Sequence, residues 1–228
     1  INDCFFKGCH SQYGGGVFSH DGTEIGDEET NITNCIFDHC YSEIGNCIYS
    51  RSYLNSFYNC TFQNCTDNEG NNTIILFIEM DEKLVSPTIT DCHFINNHNQ
   101  QYHFVSEHSL KFLCCTFEHL SNDNDGGAIL INKNWKSTDL EFCNCTFSND
   151  KSINGNGGAI SYSKDESRVP HIVFNECIFN ELSSVNGGAL FISSSTSSHL
   201  KTIRDDESYD IIINGSTFSG CHSTQSGG

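Results

Sequence analysis

The chain has 228 residues, 29 acidic side chains against 11 basic ones and a formal net charge of -18 at pH 7. Nucleic acid and anionic lipid surfaces would repel such a chain, so it is not expected to bind either. Hydrophobic residues make up only 36%, but 17 Phe among them supply apolar surface for a core, which argues against disorder. No apolar run is long enough for a helix to span a bilayer, so no direct membrane insertion is expected.

The first element, "INDCFFKGCH", carries a Cys-x-Phe unit that returns along the whole chain. The copies are Cys4/Phe6, Cys35/Phe37, Cys60/Phe62, Cys92/Phe94, Cys115/Phe117, Cys145/Phe147 and Cys177/Phe179. An eighth has Ser216 in the Cys slot, ahead of Phe218. Cys-x-Phe sets two apolar side chains on one face of a strand. The stretches "NITNCIF", "TITDCHF" and "HIVFNECIF" are alternating and β-branched, with no helical spacing, so each predicts a short strand.

After each Phe comes a second landmark, small residues followed by an apolar one. In order these are Gly15-Gly16-Val17, Asn46-Cys47-Ile48, Asn72-Thr73-Ile74, a degenerate copy at His103-Phe104, Gly127-Ala128-Ile129, Gly158-Ala159-Ile160 and Gly188-Ala189-Leu190. Glycine allows a tight corner without a Cβ clash, so "GGAILI" and "GGALFI" predict strands entered through a sharp bend. From Cys to landmark the distance stays at 12–15 residues, whereas from landmark to the next Cys slot it runs from 11 to 26. One half of the repeat is counted by structure, and the other absorbs insertions at an exposed corner.

Two or three short strands per copy with no helix between copies predict an all-β, right-handed parallel β-helix of about eight coils. Like strands would stack about 4.8 Å apart into a rod of about 35–40 Å. A β-sandwich has no reason to repeat Cys-x-Phe, and the Leu ladder of a leucine-rich repeat is absent. The shortest copies, 23 and 25 residues, cannot hold a propeller blade. Residues 1–228 thus read as one continuous solenoid segment from a longer array, with neighbouring repeats of the same chain stacked on it. Its insertions fall at 18–31, 79–88 and 193–210.

Gly-Gly-Ala-Ile together with Phe-x-x-Asn resembles the repeat pair of the chlamydial polymorphic outer-membrane proteins and similar trichomonad surface proteins. Gly126-Gly127-Ala128-Ile129, Gly157-Gly158-Ala159-Ile160 and Gly187-Gly188-Ala189-Leu190 match the first motif, and Phe94-x-x-Asn97 the second. Elsewhere the Asn is replaced by Cys9, Cys40, Cys65 or Cys221, by Leu120 or Leu182, or by Asp150. The resemblance implies an elongated adhesin on the cell surface.

Of the 14 Cys, seven precede Phe and four follow it; Cys47, Cys114 and Cys143 fit neither slot. No Cys-x-x-Cys pair occurs, so the zinc-ribbon and thioredoxin-like signatures are missing. Equivalent Cys in adjacent coils would lie near 4.8 Å apart, but with parallel Cβ vectors that suit a disulfide poorly. Mostly reduced thiols packed as small hydrophobes are expected, with one or two bridges such as Cys35 to Cys40 or Cys60 to Cys65.

Many β-helix proteins cleave polysaccharides, which takes two carboxylates across the scissile bond. Asp205-Asp206 is the only neighbouring Asp pair, and it lies in the longest insertion; the three arginines, Arg51, Arg168 and Arg204, sit in no lyase-like setting. No enzyme and no cofactor are therefore expected. His93, His98, His103 and His108 recur every five residues, a period of neither strand nor helix, and read as surface side chains rather than a metal site. The acidic stretches 21–30 and 121–127 offer oxygens for Ca²⁺ but follow no EF-hand or β-roll pattern, and read as solvated loops. Asn31, Asn59, Asn64, Asn71, Asn144 and Asn214 begin Asn-x-Ser/Thr sequons, glycan acceptors if a eukaryote secretes the chain. With alternation, Asn59 and Asn144 point outward.

The leading expectation is a non-enzymatic extracellular or surface stalk, structural or adhesive, that presents loops to a protein or glycan on another cell. Two alternatives remain: a scaffold inside a cytoskeletal or ciliary assembly, where reduced thiols are natural, and a glycan-active enzyme.

Overall fold

The computed structural model describes all residues except 13–15, 21–29, 43–46, 51–53, 66–72, 80–87, 99, 106–109, 132–138, 165–170, 195–210 and 228. Most of the insertions expected at 18–31, 79–88 and 193–210 fall outside the described residues, as do Asn71, His108, Asp205, Asp206 and all three arginines.

The described chain is all-β, and every strand pairing is parallel. One sheet holds eight three-residue strands in sequence order, from Phe5–Lys7 to Thr217–Ser219, one per coil. A second holds the seven strands that lead into the Cys slot, from Thr30–Thr33 to Ile211–Asn214. The third wall is made by strands that follow the glycine landmark, in groups of four and three. Strands such as Thr73–Glu79 and Ile129–Ile131, the latter entered through Gly-Ala, occupy it. The chain is a parallel β-helix of eight coils.

The interior is two aromatic columns. Phe6, Phe37, Phe62, Phe94, Phe117, Phe147, Phe179 and Phe218 stand in register, neighbouring rings stacked with centroids 4.5–5.2 Å apart. The second column lies three residues before each Cys slot: Ile32, Phe57, Ile89, Phe112, Phe142, Phe174 and Ile213. Its rings meet the first column edge-on, as Phe57 does Phe62 and Phe142 does Phe147. Stacking within columns and edge contacts between them satisfy the ring quadrupoles in both directions. Apart from Phe6 and Phe218 at the two ends, each Phe of the first column is shielded on both faces by neighbouring coils. Phe218, on the last coil, keeps 44% of its surface exposed.

The seven Cys and Ser216 point inward with the Phe column, but they sit at a bend just before each strand and not within it. The reason is the residue ahead of the Cys. Asp3, Asn34, Asn59, Asp91, Cys114, Asn144, Glu176 and Gly215 all have φ between 51° and 59°. A second such column follows the Phe by two residues: Gly8, His39, Asn64, Asn96, His119, Asn149, Glu181 and Gly220. Each coil therefore turns twice through the left-handed region, where Asn, Asp and Gly are least penalised. The Gly-Gly-Ala landmark makes the third corner: Gly126, Gly157 and Gly187 have φ of 64–71°.

Cys114 occupies an Asn position. It is exposed, with φ 53°, where Asn34, Asn59 and Asn144 stand in other coils. Cys114→Asn is expected to raise stability by about 0.5–1 kcal/mol by relieving left-handed strain, visible as a higher urea midpoint at unchanged slope.

The register corrects two landmarks. Phe18, not Val17, pairs with Ile48, and Leu76, not Ile74, does so from the other side. Without Gly-Gly-Ala, the corner length of the early coils is not pinned, and a register irregularity follows Ile74.

Candidate functional site

Polar and thiol chemistry in this fold is concentrated on the inward column after the second corner. Its members are Cys9, Cys40, Cys65, Asn97, Leu120, Asp150, Leu182 and Cys221, stacked through consecutive main-chain hydrogen bonds. Four of them donate to the Phe carbonyl of the preceding coil: Cys40 to Phe6, Cys65 to Phe37, Asn97 to Phe62 and Cys221 to Phe179. Asn97 does more than a thiol can. Its Nδ2 donates to Phe62 at 2.9 Å while its Oδ1 accepts the Cys65 amide at 2.8 Å, which ties two coils together inside the core.

Asp150 repeats half of that pattern. Its Oδ1 accepts the Leu120 amide at 2.9 Å, as Asn97 does from Cys65. Its Oδ2 is fully buried with no hydrogen-bond partner. Burial pushes the Asp150 carboxyl well above its ordinary range, against which the Leu120 hydrogen bond is a smaller effect. Asn97, in the same column, makes a second bond with its amide nitrogen, to the Phe62 carbonyl.

The first Cys column, Cys4, Cys35, Cys60, Cys92, Cys115, Cys145 and Cys177, follows a similar rule. Cys60, Cys115, Cys145 and Cys177 each donate to a main-chain carbonyl of the preceding coil, Ile32, Ile89, Phe112 and Phe142 respectively, at 3.2–3.5 Å. Ser216 takes over the role with its hydroxyl, to Phe174. Hydrogen bonds with the neighbouring thiols Cys60, Cys115 and Cys145, and to a smaller extent burial, push Cys92, Cys145 and Cys177 up. Neutral, buried thiols are poor nucleophiles.

All fourteen cysteines are thiols, with no disulfide. Cys35 and Cys40 stand in different columns on either side of Phe37, as do Cys60 and Cys65 around Phe62. Each is nearer in chemistry to the next coil: Cys35 interacts with Cys4 and Cys60, and Cys40 with Cys9, Cys47 and Cys65. Cys47 enters from the third wall and brings its Sγ to 3.3 Å from that of Cys65. Hydrogen bonds from Cys47 and Cys65 hold Cys40 as the most readily ionised of the three, while burial pushes Cys47 up. Cys47 fits neither Cys slot of the repeat because it belongs to a different wall, just ahead of the strand Ile48–Ser50. Among the described residues, no group of three or more His, Cys, Asp or Glu could hold a metal ion.

Outside, charge is spent in pairs. Desolvation opposes ionisation of Asp38, but hydrogen bonds from Asn64, His39 and Gln63 outweigh it and bring the carboxyl below its ordinary range. Lys7 also reaches it, at 3.7 Å. Glu141 is lowered by Lys111, 2.8 Å away, and by the Cys143 thiol. His93 lies on the outward side of its strand, and His98 bonds the Ser121 hydroxyl at 2.8 Å; His103 has its backbone in the strand Gln100–Val105. In the acidic stretch 121–127, the Asp125 carboxylate is taken by the amide and side chain of Asn156. Asn186 bonds Asn156, and Ser226 bonds Asn186, so an Asx ladder runs beside the glycine corner.

The sequon residues differ in availability. Asn31, Asn59, Asn144 and Asn214 are exposed, whereas Asn64 is half-buried and its amide donates to Asp38. The Asn59 amide donates to Asn34. Comparison with family models, with curated proteins and with solved structures returns no match.

Proposed function

We propose that the chain is a non-enzymatic stalk on a cell surface, a rigid β-helix that carries variable loops to a protein or glycan partner. The observation that carries this reading is where length varies. Length varies most between a third-wall strand and the strand leading into the Cys slot, from the short join of Ile48–Ser50 to Leu54–Tyr58 to the long one of Leu190–Ser194 to Ile211–Asn214. The strands that flank these joins are stacked coil on coil, so a change of length between them leaves the stacked walls as they are. The interior supports the same reading. Its thiols, Asn97 and phenylalanines are committed to coil-to-coil contacts, and the Asp38 and Glu141 carboxylates to ion pairs. The resemblance to polymorphic outer-membrane repeats, on the Gly-Gly-Ala-Ile and Phe-x-x-Asn motifs, points the same way.

Antibodies raised to a peptide of residues 195–210 are expected to label intact, unpermeabilised cells of the source organism. Labelling only after permeabilisation would replace the stalk with the intracellular scaffold. For a chain secreted by a eukaryote, glycans are expected on Asn144 and Asn214 and not on Asn64, read as glycosidase-dependent mass shifts of the corresponding peptides.

A further inference from the structure

We infer that Cys47 and Cys65 are a disulfide-forming pair, a staple that locks the third wall of the second coil to the second corner of the third. The thiols in each column run parallel, so neighbours one coil apart present their Cβ vectors side by side, a poor geometry for a cystine. Cys47 breaks that pattern. It precedes the strand Ile48–Ser50, on a different wall from Cys65, which follows the strand Thr61–Gln63. Their side chains converge across the interior, and the sulfurs meet at 3.3 Å, both fully buried.

The chemistry needs an oxidant, and a low-molecular-weight disulfide such as oxidised glutathione suffices. One protein thiolate attacks a sulfur of that disulfide, releasing one glutathione thiolate and leaving a mixed disulfide. The second protein thiolate then attacks the protein sulfur of the mixed disulfide and releases the other. The S–S bond of glutathione breaks, the bond between the Cys47 and Cys65 sulfurs forms, and the two thiol protons end on two molecules of glutathione. Cys40, which touches both sulfurs, remains a thiol. Because both sulfurs are buried in the closed coil, the exchange takes place as the coil forms, before water is excluded.

A variant that removes the pair without disturbing the corner is available. The residue ahead of the third-wall strand is Ala128, Ala159 or Ala189 in later coils, so Cys47→Ala is a substitution the fold already uses. The reduced full chain is refolded in a buffer poised with reduced and oxidised glutathione, alkylated, and digested with proteases that cut after Glu43 and Phe62. The expected product is a linked pair of fragments, one containing Cys47 and the other Cys65, lighter by two hydrogens than the sum of the reduced fragments. Thermal unfolding of the wild type is expected to shift up on oxidation and back with reductant, and in Cys47→Ala to be the same under both conditions. Recovery of Cys47 and Cys65 as separate alkylated fragments, or of either joined to Cys40, overturns the inference. So does a redox-dependent shift of equal size in Cys47→Ala. The inference does not rest on the stalk reading, since surface labelling and fragment mapping succeed or fail independently.

Discussion

Gly158→Ala is expected to cost about 3 kcal/mol or more and to leave the central coils unfolded at temperatures the wild type survives. A Cβ at that position would overlap the carbonyl oxygen of Gly188 in the next coil and stand 2.7 Å from the Ser183 amide nitrogen. Both are main-chain atoms engaged in the coil-to-coil ladder: Gly158 donates its own amide to Gly188, and Ser183 donates to Asp150. Neither can move without opening two coils, so the strain cannot be relieved by a rotamer change. Gly8→Ala is the contrasting control. Its φ of 62° is left-handed, as that of Gly158 is not, but a Cβ there meets nothing within 4 Å. Its cost is expected near 1 kcal/mol, the conformational penalty alone. Urea unfolding of the two variants separates close approach from backbone conformation. Equal losses would mean that the close approach at Gly158 costs no more than an unfavourable φ does at Gly8.

Asp150→Asn is expected to stabilise the protein by about 1–3 kcal/mol at neutral pH, the reverse of the usual outcome for a buried polar substitution. Asn keeps an oxygen for the Leu120 amide and supplies an amide nitrogen where Asp150 Oδ2 has no partner. In the same column Asn97 makes both bonds. The gain depends on pH. Burial raises the folded pKa of Asp150 above its unfolded value. Its favourable contribution is therefore complete below the unfolded pKa, about 3.9, and is lost as pH rises toward the folded one. Wild-type and variant stabilities should converge in acid and separate above that value, the variant curve being the flatter. Asp38 and Glu141, both lowered, act in the opposite sense and destabilise each protein alike in acid, so the difference between the two curves isolates Asp150. A constant offset across pH would show that Asp150 does not change its protonation on folding.

Much of this architecture can be read from residue order alone. Cys-x-Phe seven times over, with Phe218 as the eighth phenylalanine, was enough to place Phe37, Phe62 and Phe94 in one stacked column. Periodicity in a solenoid is a one-dimensional property, and each copy repeats the same local demand. The three Gly-Gly-Ala segments marked a corner for the same reason: only glycine tolerates both positive φ and a neighbouring carbonyl at that distance. The left-handed corners ahead of the Cys were not legible in the same way, because one conformation accepts several identities there: Asn34, Asn59 and Asn144, but also Asp91, Cys114 and Glu176.

Tertiary structure decided what depends on a second wall. The Phe57, Phe112, Phe142 and Phe174 column acquires meaning only where it meets the first column edge-on. Asp150 differs from Asn97 by one atom type in sequence, and only stacking shows that the difference leaves an oxygen stranded in the core. Cys47 fits neither Cys slot and finds Cys65 because two walls of the coil converge. Order along the chain encodes which residues stack, since equivalent positions recur; which residues face one another across the interior is set by how three walls close, a distance that sequence spacing does not carry.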